Sequence, residues 1–100
     1  MQNTFDADAF ALRKLKLNGV EYNFRPASIR LNNEYLIPVV QKKMDEAKDE
    51  NERYTIMIEV ILRIISDIPE CDLWDVSMPV LVRTYYYAVN GLPPEEEKNS

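Results

Sequence analysis

The chain of 100 residues contains no histidine, one cysteine and only two glycines. Without histidine, the commonest general base and metal ligand at neutral pH is missing, and neither a Ser–His–Asp nor a Cys–His arrangement can exist. A lone Cys71 excludes an intramolecular disulfide and any metal site built on several thiolates, and it favours a reducing compartment. Gly19 and Gly91 are too few and too far apart for a phosphate-cradling loop, and each reads as a turn glycine. The longest apolar stretch, residues 54–68, is interrupted by Glu59, Arg63 and Asp67 and is too short to span a bilayer. The opening MQNTFDADAF is acidic and lacks the apolar core of a signal peptide. Together these absences lead us to expect a cytoplasmic, non-enzymatic protein that uses no metal or cofactor and does not enter a membrane.

What is present is enough to fold. Hydrophobic residues make up 46% and charged residues 29% of the chain, which argues against disorder throughout. A domain this small hides only about 60–65% of its unfolded surface, so a single modest core is expected. The net charge of −5 is unevenly spread. Residues 1–43 carry seven Lys/Arg against four Asp/Glu, net +3, whereas residues 44–100 carry five against thirteen, net −8. An acidic back half disfavours nucleic acid as the main partner, because that affinity comes largely from neutralising phosphates. Such a dipolar chain suits head-to-tail stacking or a basic partner.

The clearest local signal lies near the start. ALRKLKL (11–17) and VEYNF (20–24) alternate around Asn18-Gly19, a dipeptide that tolerates positive φ at both central positions of a type I′ turn. Leu12, Leu15 and Leu17 do not share one face, so a bulge or a shifted strand start is expected. Ser28 is a fair N-cap for a helix running to about Lys48, with Pro38 expected to kink or break it near Ile37. The charged run 42–53 reads as a solvated helix end and turn. From Arg53 to about Asp67 a second helix is apolar over most of its circumference, with Thr55, Glu59, Arg63 and Ser66 forming a narrow polar stripe. Such a helix is either central in its own domain or shared with a partner. Pro69 ends it, residues 70–77 form a connector holding Trp74, and a third helix runs from Ser77-Met78-Pro79 to Asn90-Gly91. The expected organisation is a flexible N-terminus over 1–10, one α+β, mainly α domain over 11–91 with an N-terminal hairpin packed on about three helices, and a disordered acidic tail over 92–100.

Candidate sites are few. Asp67, Glu70, Asp72 and Asp75 crowd around Cys71 and Trp74, but no EF-hand order of ligands accompanies them. The plainer reading is an exposed loop, with Cys71 a small buried hydrophobe. Tyr85, Tyr86 and Tyr87 are consecutive, so on a helix they point about 100° apart and at least one ring must be partly exposed. Tyrosine suits protein interfaces because it buries a large ring while keeping a polar end satisfied. The candidate interaction residues are therefore Met57, Ile61, Leu62 and Ile65 on the apolar helix, with Tyr85, Tyr86 and Tyr87.

The hairpin LKLNGVEYNFRP (15–26), the apolar middle helix, and YYYAVNG (85–91) before a Pro/Glu tail together resemble the tail assembly chaperones of long-tailed bacteriophages and prophages. The resemblance covers about residues 11–91 and lies in architecture, not in a diagnostic motif. It implies a chaperone made in the host cytoplasm that binds and solubilises the tape measure protein, meets the tail tube protein as well, and forms homo-oligomers. The competing reading is a small acidic inhibitor or regulator whose 67–75 segment blocks a basic site on a partner protein. A nucleic-acid binder using Arg13, Lys14, Lys16, Arg25 and Arg30 is the least favoured.

Overall fold

The structure, a computed structural model, describes residues 4–92. The expected acidic tail beyond Leu92 and the first three residues lie outside the described residues. Strands β1 (Arg13–Leu17) and β2 (Val20–Phe24) pair antiparallel with Leu17 opposite Val20 and Arg13 opposite Phe24. Asn18 (φ 52°) and Gly19 (φ 80°) both take the left-handed region, as the Asn-Gly turn requires. The strand begins at Arg13, leaving Leu12 outside it, so the alternation is regular and needs no bulge. Leu15, Leu17, Tyr22 and Phe24 face inward, while Lys14, Lys16, Glu21 and Asn23 face solvent.

The segment preceding the hairpin is not without structure over its described part. Ala7–Ala11 forms a short helix, α1, because the Asp6 carboxylate accepts a hydrogen bond from the Ala9 N–H and caps it. The Phe5 and Phe10 rings meet there at 5.7 Å, tilted by 54°, and both are exposed.

Ser28 caps the next helix as expected, accepting from the Leu31 N–H at 3.0 Å. The expected break at Pro38 does not occur. The rod is continuous through α2 (Ile29–Leu31), a π-helical stretch (Asn32–Val40) and α3 (Gln41–Glu46). In an α-helix the Pro38 ring would collide with the Glu34 carbonyl, and its missing N–H would leave a bond unmade. A π turn bonds five residues back, as the Gln41 N–H does to the Leu36 carbonyl, so the helix widens here and continues.

Helix α4 (Glu50–Ile64) starts three residues before the expected Arg53. The Asp49 carboxylate accepts from the Glu52 N–H, and the Glu52 carboxylate reaches back to the Lys48 N–H, each at 2.9 Å. This reciprocal cap satisfies donors that a helix beginning later would leave orphaned. The helix leaves α geometry at Ile65, before the expected Asp67, and Ile65 and Ile68 plug the core from the exit. The expected connector after Pro69 contains a short helix, α5 (Glu70–Asp75), anchored by buried Leu73. Helix α6 (Met78–Asn90) is the last element among the described residues, with Pro79 in its first turn and Gly91 as its left-handed cap (φ 72°).

Two buried clusters meet on α4. Ile58, Ile61 and Ile65 pack with Leu17 and Phe24 of the hairpin, Leu73 of α5, and Leu81 and Ala88 of α6. Ile56 and Val60 pack with Leu36 and Val40 of the rod. The apolar circumference of α4 is thus consumed within its own chain, at roughly 1.5–3 kcal/mol per large side chain buried. The hairpin is tied to the end of α6 at three points. Arg13 Nε donates to the Gly91 carbonyl at 2.8 Å, Tyr87 Oη donates to the Lys14 carbonyl at 2.8 Å, and the Tyr87 ring meets Phe24 edge-on at 5.2 Å. An isolated hairpin is marginal in water, and this clamp supplies the surface it needs. Among the described residues no helix is long and apolar enough to cross a membrane.

Candidate functional site

The three consecutive tyrosines divide as helix geometry demands. Tyr87 turns toward the hairpin and is spent on the clamp. Tyr85 is half-buried where both core clusters touch it. Tyr86 is 54% exposed, its ring 5.1 Å from that of Tyr85 at 75°. This edge-on pair forms one wall of a cleft of about 570 Å³ between α3, the first half of α4 and the middle of α6. Met44 and Met57 supply its other apolar side chains, and Gln41, Asp45 and Arg53 its polar rim. Met44 reaches the cleft because it follows buried Val40 by four residues, one helical turn along the same face. Met57 lies between buried Ile56 and Ile58, so α4 packs on either side while this one thioether faces the opening.

The chemistry of the lining is that of a docking surface. Methionine is flexible and polarisable and adapts to irregular apolar shapes, whereas the tyrosine pair is rigid and offers large area at low entropic cost. Burial first, then the neighbouring hydroxyls of Tyr86 and Tyr35, raise the pKa of Tyr85 above its ordinary value of 10.0. Its phenol therefore stays neutral and able to donate a hydrogen bond at physiological pH. Below it, the Arg63 guanidinium lies 3.9 Å over the Tyr35 ring, a cation–π contact that fixes the polar stripe of α4 against the rod.

Of the seven residues the sequence singles out, the fold brings Met57, Tyr85 and Tyr86 into one cleft. Ile61 and Ile65, at 0% and 3% exposure, are core side chains that another molecule reaches only if the fold opens. Leu62 packs against the hairpin-side cluster, and Tyr87 serves the clamp. Gln41, Met44, Asp45 and Arg53 are the members that sequence reading missed. The four-residue step from Val40 to Met44 was the available signal.

The acidic segment is mostly committed to local structure. Glu70 and Asp72 sit in the first turn of α5, where carboxylates complement the helix N-terminus, and Glu70 Oε2 accepts from the Trp74 indole at 3.1 Å. Cys71 is exposed on this helix, contrary to its expected burial. Among the described residues no group of three or more His, Cys, Asp or Glu is placed to hold a metal ion. Arg13 leaves the basic set proposed for nucleic acid, because it bonds the carbonyls of Gly91, Phe10 and Leu12. Compared with family models, curated proteins and solved structures, the chain matches none.

Proposed function

We propose that this chain is a non-catalytic chaperone of the tail-assembly type, which receives an apolar helical segment of a tape measure protein in the Met44–Met57–Tyr85–Tyr86 cleft. The observation that carries the reading is the make-up of that cleft: two partly buried methionines and a tyrosine pair, of which Tyr86 is exposed and Tyr85 half-buried, on a domain that has otherwise buried its apolar helix. A holdase needs apolar surface that stays soluble, and here that surface is small and has a polar rim of Asp45, Arg53 and Gln41. The net charge of −5 keeps chaperone and client dispersed in the host cytoplasm until tail tube subunits replace it. The tape measure client comes from the architectural resemblance, and the cleft gives it a place to bind.

The test is co-expression with a tape measure protein, scored by the soluble fraction of the client. Wild-type chain is expected to retain the client in solution, and Met57→Asp with Tyr86→Asp to lose it while keeping a native far-UV spectrum. Because the contact is apolar, raising salt should change the affinity little. A one-to-one complex that weakens steeply with salt and survives both substitutions would refute the cleft and favour the acidic-inhibitor reading.

A further inference from the structure

The hairpin carries a surface that the clamp does not use. In an antiparallel pair, residues alternate between positions that exchange backbone hydrogen bonds with the partner strand and positions whose N–H and C=O point away. A two-residue turn makes Leu17 and Val20 a bonded pair, so Leu15–Tyr22 and Arg13–Phe24 are bonded pairs too. Lys14 and Lys16 therefore aim their backbone groups outward on the β1 edge, and Glu21 and Asn23 aim theirs outward on the β2 edge. The β1 edge is covered by α6, as shown by the Tyr87 hydroxyl bonded to the Lys14 carbonyl. Among the described residues no further strand covers the β2 edge. The sheet ends there, and among the described residues no hydrogen bond reaches the outward backbone groups of Glu21 or Asn23. Val20, Glu21, Asn23 and Arg25 are all exposed along it. The usual protections of an edge strand, a proline, a bulge or a lysine within it, are absent from Val20–Phe24.

We infer that β2 pairs antiparallel with β2 of a second copy about a two-fold axis through Tyr22, joining the two hairpins into one four-stranded sheet. Backbone geometry and the extent of β2 select this register, because an axis through Asn23 would set Glu21 directly opposite the partner's Arg25 but leave Val20 unpaired. With Tyr22 opposite the partner's Tyr22, Glu21 lies opposite the partner's Asn23, and each such pair exchanges both N–H···O bonds. On that face Glu21 then has two kinds of diagonal neighbour, the partner's Arg25 and the partner's Glu21, so that two opposite-charge pairs stand against one like-charge pair. Opposite charges at that spacing attract, and the two-fold symmetry makes the pair twice. Shifting the axis one residue toward the turn would set Glu21 against Glu21, a like-charge pair that destabilises. The chosen register uses all five residues of β2 and covers Val20, which is 50% exposed despite lying on the inward-facing side of the strand. It also removes the open edge from a two-stranded sheet, the least stable kind. This inference does not rest on the client cleft, which lies on α3, α4 and α6, away from β2.

Sedimentation equilibrium over a concentration series tests it. Wild-type chain is expected to form a dimer, and Asn23→Pro to weaken that dimer by at least about a hundredfold. The Asn23 N–H points outward, so proline there costs the hairpin no ladder bond while denying the partner one. Charge reversal provides an independent readout. Glu21→Arg and Arg25→Glu should each weaken the dimer by about tenfold, and the double variant, which restores the diagonal pairs, should recover most of it. A wild-type chain that stays monomeric at high concentration, a dimer indifferent to Asn23→Pro, or single and double reversals that weaken it alike each overturns the inference. So does a monomer that takes up an unrelated extended peptide along β2, since the edge then belongs to a different partner. Client retention by Asn23→Pro separates this result from the fate of the proposed function.

Discussion

Replacing Gly91 with alanine probes the joint that holds the hairpin on α6. Two costs arise there. Gly91 sits at φ 72°, where an L-residue loses about 1–2 kcal/mol relative to glycine. A Cβ built at this position also runs into Pro26 Cγ, with Arg13 Nε close behind. Relieving that overlap means pushing the 24–26 segment away from α6, and overpacking of this kind costs about 1–3 kcal/mol. The sum is about 2–5 kcal/mol, a large share of the stability of a domain this size. Gly19 is the internal control. It has a similar φ of 80°, but a Cβ there meets nothing within 4 Å, so Gly19→Ala carries only the conformational cost of about 1–2 kcal/mol. Urea unfolding followed by far-UV circular dichroism should show both variants less stable than wild type, with the Gly91→Ala midpoint lower than that of Gly19→Ala by about 1 M. Equal midpoints for the two variants would show that the hairpin is not seated against α6 as described, and the clamp argument would fail.

Other substitutions separate core from surface. Ile61→Ala should cost about 2–5 kcal/mol in urea unfolding, whereas Met57→Ala should cost less than about 1.5 kcal/mol; similar costs would mean the division of α4 into core and cleft is wrong. Asp49→Ala removes the carboxylate that accepts from the Glu52 N–H, and should lower stability by about 1 kcal/mol without changing the folded spectrum. Tyr85 provides a pH prediction. Its folded pKa is raised above 10.0, so its stabilising contribution is complete below about pH 10 and is lost as pH rises through the folded value. Tyr85→Phe should therefore blunt the fall in stability as pH rises above about 10, and an unchanged pH slope would contradict the assigned burial.

Much of the frame was legible because it rests on local stereochemistry. Asn18-Gly19 has few alternatives between two alternating runs, and Ser28, Pro79 and Gly91 mark helix ends through groups that the backbone needs. The misses share a different cause. Ala7–Ala11 and Glu70–Asp75 are too short for a helical period to stand out, and each depends on one side chain, Asp6 or Leu73, finding its place. Pro38 disfavours an α turn but does not choose between a break and a wider turn, and in the fold the helix stays continuous, with Leu36 and Val40 packed on α4. The same limit applies to the site. A helix apolar nearly all round presents Met57 and Ile61 alike on a wheel, and only the rod and the hairpin, closing from opposite sides, decide which is buried. Met44 joins Met57 from another element, so the four-residue step from Val40 marks Met44 as inward-facing but does not pair it with Met57.

The most direct test uses the methionine methyl resonances as a client is added. Met44 and Met57 line the proposed cleft, while Met78 lines a separate groove with Tyr54, Pro79 and Val82. Titrating isotope-labelled chain with a peptide forming an apolar amphipathic helix should shift Met44 and Met57 together, at low and high salt alike, and leave Met78 in place. Shifts confined to Met78, or no methyl shift on binding, would contradict the cleft as the client site.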